Sequence, residues 1–170
     1  TTGSYNTAIG EQALRTNTTG AENAALSYKA LHLNTTGEYN TAAGSGAMYS
    51  NTTGHSNTAI GQSALYANTT ATHNTALGIQ ALDACTTGGG NTAIGNGAFG
   101  AVTTSPSNTG VGGGCGRVMT TGTQNTYIGT SSGDRTTVGS YNTFLGHNAG
   151  FNVTSADYNV CIGYTAGQGQ

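Results

Sequence analysis

The sequence predicts an all-β fold, a parallel β-solenoid (β-roll or β-helix) with one coil for each 17-residue repeat. Three observations lead to this prediction. Thr-Thr-Gly or a variant recurs every 17 residues and divides the 170-residue chain into ten units without remainder. The 32 Thr, 29 Gly and 17 Asn oppose helix formation. A unit of this length is also too short for a helical hairpin repeat.

The array is predicted to be a single domain over residues 1–170. Its repeats begin at residues 1, 18, 35, 52, 69, 86, 103, 120, 137 and 154. Within the unit, position 1 is always Thr, position 6 is always Asn, position 9 is aliphatic, and position 10 is Gly except at Ser27. Because the coils of a solenoid stack on one another, these constant positions indicate what the geometry of a coil requires.

Each unit is predicted to contain two short extended segments and a turn. Asn-Thr-Ala-Ile at positions 6 to 9 is the first strand, which ends at the Gly of position 10. Ala-Leu at positions 13 and 14 begins the second segment. The Asn-Thr-Thr-Gly segment that joins units is the turn, since Asn and Gly suit positive φ. Ten coils spaced about 4.7–4.9 Å apart predict a rod of about 48 Å.

The Asn at position 6 is predicted to form a ladder of side-chain amides along the rod. Stacking places each copy above the next, so that each amide donates to one neighbour and accepts from the other. We expect this role to be structural. The ladder residues are Asn6, Asn23, Asn40, Asn57, Asn74, Asn91, Asn108, Asn125, Asn142 and Asn159.

A second group of Asn residues lies in Asn-x-Ser/Thr sequons. These residues are Asn17, Asn34, Asn51, Asn68 and Asn152. We expect them on the joining turn, where they would form a row of glycosylation sites if the source organism glycosylates its proteins. The geometry of the turn is itself sufficient reason for Asn and Thr there, and we favour that explanation.

The strand is apolar or small on both faces, which indicates a partner chain. Positions 8 and 9 point in opposite directions, so one faces the interior and the other requires a covering surface. Positions 8 and 14 also exchange size, as in Tyr127 with Gly133, which predicts that the two side chains fill one space. Repeat seven has Gly at both positions, with Val118 and Met119 as candidates to fill the gap. We expect a homotrimer.

The sequence predicts no catalytic, cofactor or metal site. Catalysis requires unlike groups that converge, whereas the acids and histidines occupy different positions of the unit and form no column. They are Glu11, Glu22, Glu38, Asp83, Asp134, Asp157, His32, His55, His73 and His147. The spacing of Cys85, Cys115 and Cys161 suggests neither a disulfide framework nor a metal site. A net charge of −2 provides no basic surface for nucleic acid, and the sequence predicts no membrane insertion.

Aromatic residues concentrate at two variable positions of the unit. Position 5 holds Tyr5, Tyr39, Tyr141 and Tyr158, and position 15 holds Tyr49, Tyr66 and Phe151. Rings stacked in this way either pack locally or bind sugars and partner surfaces. Local packing is the favoured explanation, and recognition of surface glycans is the alternative.

The units NTAIGxxAL (residues 6–14 and 57–65, and 91–99 with Phe99 last) and NTFLGxNAG (residues 142–150) resemble known repeats. They are similar to the head repeats of trimeric autotransporter adhesins and to related phage and bacterial tail-fibre repeats. The resemblance covers the whole chain and implies a left-handed parallel β-roll, with three rolls side by side. The adhesin-head unit is usually shorter than 17 residues, and its inward aliphatic corresponding to position 7 is Thr in eight copies here.

The segment Ile9-Gly10-Glu11-Gln12-Ala13 also fits the hexapeptide rule of left-handed β-helix acyltransferases. It occurs once per 17 residues instead of every six, which argues against that enzyme class.

The predicted function is structural and not enzymatic. We expect a shaft module of an extracellular filament, a cell-surface adhesin or a phage tail fibre, located outside the cell, on the cell surface or on a virion. Neither terminal repeat resembles a polar cap, so we expect a segment of a longer fibre or end-to-end stacking, with any export signal outside this chain.

Two other functions remain as alternatives. One is an ice-binding solenoid that uses the Thr columns at positions 1, 2 and 7. The other is a carbohydrate-binding rod like a tail spike, although the paired carboxylates that glycoside hydrolysis requires do not cluster in the sequence.

Overall fold

The computed structural model describes residues 2–168 as one parallel β-solenoid, which confirms the predicted fold class. Thr1, Gly169 and Gln170 of the predicted array lie outside the described residues. Ten strands form a single sheet in sequence order: β1 Thr7–Ile9, β2 Ala24–Leu26, β3 Thr41–Ala43, β4 Thr58–Ile60, β5 Thr75–Leu77, β6 Thr92–Ile94, β7 Thr109–Val111, β8 Thr126–Ile128, β9 Thr143–Leu145 and β10 Val160–Ile162. Residues 2–168 contain no helix, and so none that could span a membrane.

Neighbouring strands pair in parallel with a constant offset of one repeat. Thr7 lies opposite Ala24 and Ala8 opposite Ala25, and the same 17-residue offset continues to β10. Equal positions of the unit therefore stack along the rod, and we call each such stack a column. The period and the phase of the repeat are as predicted, whereas the left-handed coil implied by the resemblance stays a prediction.

The second extended segment predicted at positions 13 and 14 is wrong. In every coil, positions 11 to 15 lie in turns, and positions 12 and 14 have left-handed φ values between 50° and 76°. The Ala-Leu pair is apolar because position 14 points into the core from a turn, as Leu65 does with 0% exposure. An apolar pair of this length does not distinguish a strand from a turn that faces inward.

Glycine at position 10 is required by both backbone conformation and space. Its φ lies between 119° and 143° in the nine glycine copies, a region that side chains with a Cβ rarely adopt. A Cβ on Gly61 would lie 2.6 Å from the carbonyl carbon of Gly78 in the next coil. Ser27 occupies this position with φ 120°.

The positive φ values predicted for the Asn and Gly of the joining segment are wrong, since neither Asn17 nor Gly20 has a positive φ. The positive φ values fall at positions 5, 10, 12 and 14 instead. Glycine at position 3 is required by close stacking, since a Cβ on Gly20 would meet the carbonyl oxygen of Gly37 in the next coil. Glycine is needed in this segment because the coils lie too close together here for a side chain.

The core is narrow and is filled mainly by positions 8, 13 and 14, with the apolar residues of position 17 beside them. Position 8 points inward, and the size exchange with position 14 is visible in the structure. A Cβ on Gly133 would lie 2.7 Å from Cε2 of Tyr127, and one on Gly150 would meet the ring of Phe144. The large residue at position 8 thus occupies the volume that Leu or Met fills in the first five repeats.

Repeat seven is filled by a neighbouring coil and not by Val118. The ring of Phe99, in repeat six, reaches both glycines: a Cβ on Gly110 would lie 2.6 Å from its Cε2, and one on Gly116 would meet its Cε1. Val118 is half-buried, and Met119 is buried with its sulfur beside Gly122. A size exchange within one repeat does not indicate a contact between repeats.

Candidate functional site

The Asn column at position 6 is a continuous hydrogen-bonded ladder. The backbone N–H of each Asn donates to Oδ1 of the Asn one coil earlier, for example Asn91 to Asn74, at 2.8–3.0 Å over all nine steps. In the first nine repeats, Nδ2 also donates to the position-3 carbonyl of the following coil, at 2.8–3.0 Å. The ladder joins coils, and its buried amides present no polar group to a ligand.

Four of the five sequon residues form a second ladder inside the solenoid. Nδ2 of Asn34 donates to Oδ1 of Asn17 at 2.8 Å, and Asn51 and Asn68 continue the series at 2.7 Å. These four side chains are at most 6% exposed. The structure therefore favours a structural explanation of Asn17, Asn34, Asn51 and Asn68 over a surface row of glycosylation sites, because a glycan on any of them would displace the ladder. Asn152 is half-buried and lies outside it.

The later residues at position 17 indicate in the sequence that this column is buried. Position 17 continues with Cys85, Val102, Met119, Thr136 and Val153, all of which are buried. Sγ of Cys85 donates to the carbonyl of Gly88, and so replaces the bond that Asn51 makes to Gly54. A column of a solenoid in which Asn is replaced by apolar residues in later coils indicates an inward position.

The invariant Thr at position 1 is a structural residue. Its hydroxyl donates to the backbone carbonyl of the Thr one coil later, as from Thr35 to Thr52 at 3.0 Å, and eight such bonds follow one another from Thr18. These hydroxyl donors are already hydrogen-bonded to the backbone and are not available to a ligand. The Thr residues of position 2 are exposed.

The outward side of the sheet is an uncharged surface formed by positions 7 and 9, which we call the threonine-aliphatic face. The Thr residues of its first column are Thr7, Thr41, Thr58, Thr75, Thr92, Thr109, Thr126 and Thr143, with Ala24 and Val160 in the other two coils. The second column is Ile9, Leu26, Ala43, Ile60, Leu77, Ile94, Val111, Ile128, Leu145 and Ile162. Position 7 thus faces outward, and the inward orientation implied by the resemblance does not apply to this chain.

This face is accessible along the whole rod. Near the middle of the array, Ile60 is 41% exposed and Leu77 is 42% exposed. Nine spacings of about 4.8 Å give the aliphatic column a length of about 43 Å. Neither column contains a charged residue in any repeat.

The aromatic columns pack locally, as favoured from the sequence. Tyr141 and Tyr158 stack with ring centroids 4.8 Å apart, and Tyr49 and Tyr66 do so at 5.1 Å. His32 extends the second stack, at 5.0 Å from Tyr49. The guanidinium of Arg135 lies over the ring of Phe151 in position 15. Tyr5 and Tyr39 are exposed.

The ionisable residues remain dispersed. Arg117 pairs with Asp134, with Nε 2.9 Å from Oδ1. His55 and His73 contact each other edge to face at 5.3 Å. Among residues 2–168, no group of three or more His, Cys, Asp or Glu side chains is arranged to hold a metal ion.

The buried cysteines are protonated at neutral pH. Burial raises the pKa of Cys85 to about 11 and that of Cys115 to about 12. Burial also raises the pKa of Cys161, which is partly exposed. Because a thiol needs its thiolate form to react, Cys85 and Cys115 behave as apolar core residues.

Comparison with protein-family models, curated proteins and solved structures found no match for this chain.

Proposed function

We propose that this chain is a structural shaft module of an extracellular filament, cell-surface adhesin or phage tail fibre, and that three copies associate laterally through the threonine-aliphatic face. The observation that carries the proposal is the outward aliphatic column, which continues over all ten coils and is exposed in seven of them.

The exposed column favours association for an energetic reason. Parallel sheets are normally covered on both faces, and apolar surface gains about 25 cal/mol for each Å² removed from water. Here the inward face is covered by the core, whereas Ile60, Leu77 and Leu145 remain 41–43% exposed. When this column is buried in all ten coils, the small free-energy gains of the individual side chains add together.

The occupant that fits this face is a second copy of the same chain. The two columns contain no charge, so identical faces meet without electrostatic repulsion. Their side chains also repeat at the coil spacing of about 4.8 Å, and a partner stays in phase over ten coils when it has the same spacing. An identical solenoid satisfies both conditions. A homotrimer is the arrangement we propose.

A charged substitution in the middle of the face tests this function. Leu77→Asp introduces a carboxylate at a position that is already 42% exposed in the single chain, so the solenoid itself should keep its fold. Multi-angle light scattering should give three times the chain mass of 16.9 kDa for the unmodified protein, and one chain mass for the variant. Circular dichroism checks that the variant remains folded.

The matched control places the same charge outside the face. Thr70→Asp lies in the exposed column of position 2, in the same repeat as Leu77, and should leave the trimer intact. A monomeric unmodified protein, or equal effects of the two substitutions, would refute the proposal.

A second function is favoured by the outward orientation of position 7. Eight outward Thr side chains, each exposed or half-buried, line one column beside the aliphatic column, which is the kind of flat array that an ice-binding solenoid presents. This function would show as thermal hysteresis in a nanolitre osmometer, abolished by Thr75→Tyr at the centre of the row. An absence of hysteresis at high protein concentration would exclude it.

A further inference from the structure

A groove on the turn side of repeats two to four combines aromatic, cationic and hydrogen-bonding side chains. It runs along the rod between the columns of positions 11 and 12 and the column of position 15, and its volume is about 240 Å³. The side chains that define its chemistry are Tyr28, Lys29, Ser45, Tyr49, Gln62 and Tyr66. We call it the tyrosine-lysine groove.

One wall of the groove is an aromatic stack. The rings of Tyr49 and Tyr66 lie within 7° of parallel. The base of this wall is tight, since a Cβ on Gly46 would lie 3.4 Å from Cε2 of Tyr66. Tyr66 still has 40% of its surface exposed and Tyr28, at one end of the groove, 44%. Exposed aromatic surface next to polar groups suits a ligand with both an apolar face and hydroxyl groups.

Lys29 supplies a positive charge that no acidic lining residue neutralises. Its Nζ lies 5.0 Å from the ring centroid of Tyr28 and 5.9 Å from that of Tyr49. The lining residues include no Asp or Glu. The interaction with Tyr28 raises the pKa of Lys29, so it is an ammonium ion at neutral pH. A carboxylate in the groove would meet this cation directly.

The polar side chains of the opposite wall are available to a ligand. Ser45 and Gln62 are exposed and project from successive coils at position 11. They provide a hydroxyl and an amide about 4.8 Å apart along the rod, which are groups that bind sugar hydroxyls. The groove is smaller than the roughly 300–1,000 Å³ pockets of drug-sized ligands, so it fits a single sugar residue.

We propose that the tyrosine-lysine groove binds the terminal residue of an acidic glycan, a carboxylated pyranose such as a hexuronate. In this site, the ring edges of Tyr49 and Tyr66, which stack face to face, contact the C–H face of the sugar, and Lys29 binds its carboxylate. Ser45 and Gln62 hydrogen-bond to its hydroxyls. The site lies on the turn side of the coil, so its existence does not depend on lateral association through the sheet.

The test is a titration of the isotope-labelled, intact protein by NMR with methyl glucuronide, and in parallel with methyl glucoside, which lacks the carboxylate. An open site of this size should bind the acidic sugar with a Kd of about 1 mM, about tenfold tighter than the neutral one. The amide signals that shift should belong to residues of the groove. Binding of both sugars with equal affinity, or shifts spread over the molecule, would overturn the proposal.

Two substitutions assign the roles of the side chains. Lys29→Gln keeps the local backbone, because Gln12 and Gln80 occupy the same position with φ values of 61° and 55°, close to the 56° of Lys29. It should weaken methyl glucuronide binding about tenfold and leave methyl glucoside binding unchanged. Tyr66→Ala should weaken both sugars about fivefold through lost ring contact.

The matched control is Tyr141→Ala, which removes an equally stacked tyrosine in position 5, outside the groove. It should leave both titrations unchanged. Thermal unfolding of each variant checks its fold. If Lys29→Gln, folded as the unmodified protein, binds methyl glucuronide with unchanged affinity, the proposed carboxylate contact is wrong.

Discussion

At the scale of single residues, the close stacking of coils determines which side chains are tolerated. Asn91 accepts from the backbone N–H of Asn108 at 2.9 Å and donates to the carbonyl of Ser105 at 2.9 Å. Both partners are buried, so they depend on this amide and not on water. The same stacking places a Cβ at position 10 too close to the next coil, as at Gly61, where it would lie 2.6 Å from the carbonyl carbon of Gly78.

Removal of one ladder amide should therefore be costly. Asn91→Ala leaves at least two buried backbone groups without a partner, and we expect the free energy of unfolding to fall by about 3 kcal/mol. Chemical denaturation measures this change. Asn96→Ala is the control, because Asn96 is an exposed Asn in the same repeat, and its effect should be within about 0.5 kcal/mol of zero. Equal effects of the two substitutions would contradict the structural role of the ladder.

Ser27 offers a test in the stabilising direction. Its φ of 120° is a strained conformation for any residue with a Cβ, and the other nine coils have Gly there. Ser27→Gly should raise the free energy of unfolding by about 1 kcal/mol, since relief of strain exceeds the added entropy of Gly in the unfolded chain. The reverse change, Gly61→Ser, should destabilise the protein. A destabilised Ser27→Gly variant would show that the position has been misinterpreted.

Some of these structural roles can be predicted from the residue type at a position, and others cannot. The Asn at position 6 was recognisable as a ladder because it is constant in all ten coils. Asn17 was assigned to the surface because Asn-Thr-Thr also fits a sequon and a turn, and composition alone does not distinguish these from a buried amide. The sequence does not point to Lys29 because its groove partners, such as Tyr66, come from other coils.

At the scale of one structural element, a coil keeps its core volume while it changes the side chain that provides it. Leu82 fills the core from position 14 in repeat five, whereas Phe144 fills it from position 8 in repeat nine. The sequence revealed this exchange because both positions lie within one repeat. It did not reveal how repeat seven is filled, since Phe99 belongs to the preceding coil.

A double substitution in repeat nine tests the exchange. Phe144→Ala should destabilise the protein by about 3–5 kcal/mol through the cavity that it leaves. Gly150→Leu alone should also destabilise it, because a Cβ there meets the Phe144 ring. The backbone accepts Leu, since Leu82 has φ 52° at the same position where Gly150 has 64°.

Together, the two changes reproduce the arrangement of repeats one, two, four and five. The double variant should therefore be more stable than either single variant in chemical denaturation. Strictly additive losses would mean that positions 8 and 14 do not share one space.

At the scale of the whole molecule, the thin core buries groups that ionise at alkaline pH. Burial raises the pKa of Cys85 to about 11, of Cys115 to about 12 and of Tyr127 to about 12. The ordinary values are 9.0 for the thiols and 10.0 for the phenol. The folded chain therefore retains these protons at a pH where the unfolded chain has lost them.

The sign of the pH dependence follows from these raised values. The free energy of unfolding should be constant with respect to these groups below about pH 8.5, then fall as the pH rises from 9 towards 12, by about 1.4 kcal/mol per pH unit for each ionising group. Denaturation at pH 7.5, 9.5 and 10.5 measures the slope. Cys115→Ala, which introduces the residue found at that position in eight other coils, should reduce it. An unchanged slope would contradict the assignment of Cys115.

The central claim at this scale is that the rods associate side by side. Small-angle X-ray scattering measures mass and longest dimension together. Lateral association predicts three times 16.9 kDa in a particle about 50 Å long, the length of one rod. A particle with the mass of a single chain, or one whose length grows in proportion to its mass, would contradict it.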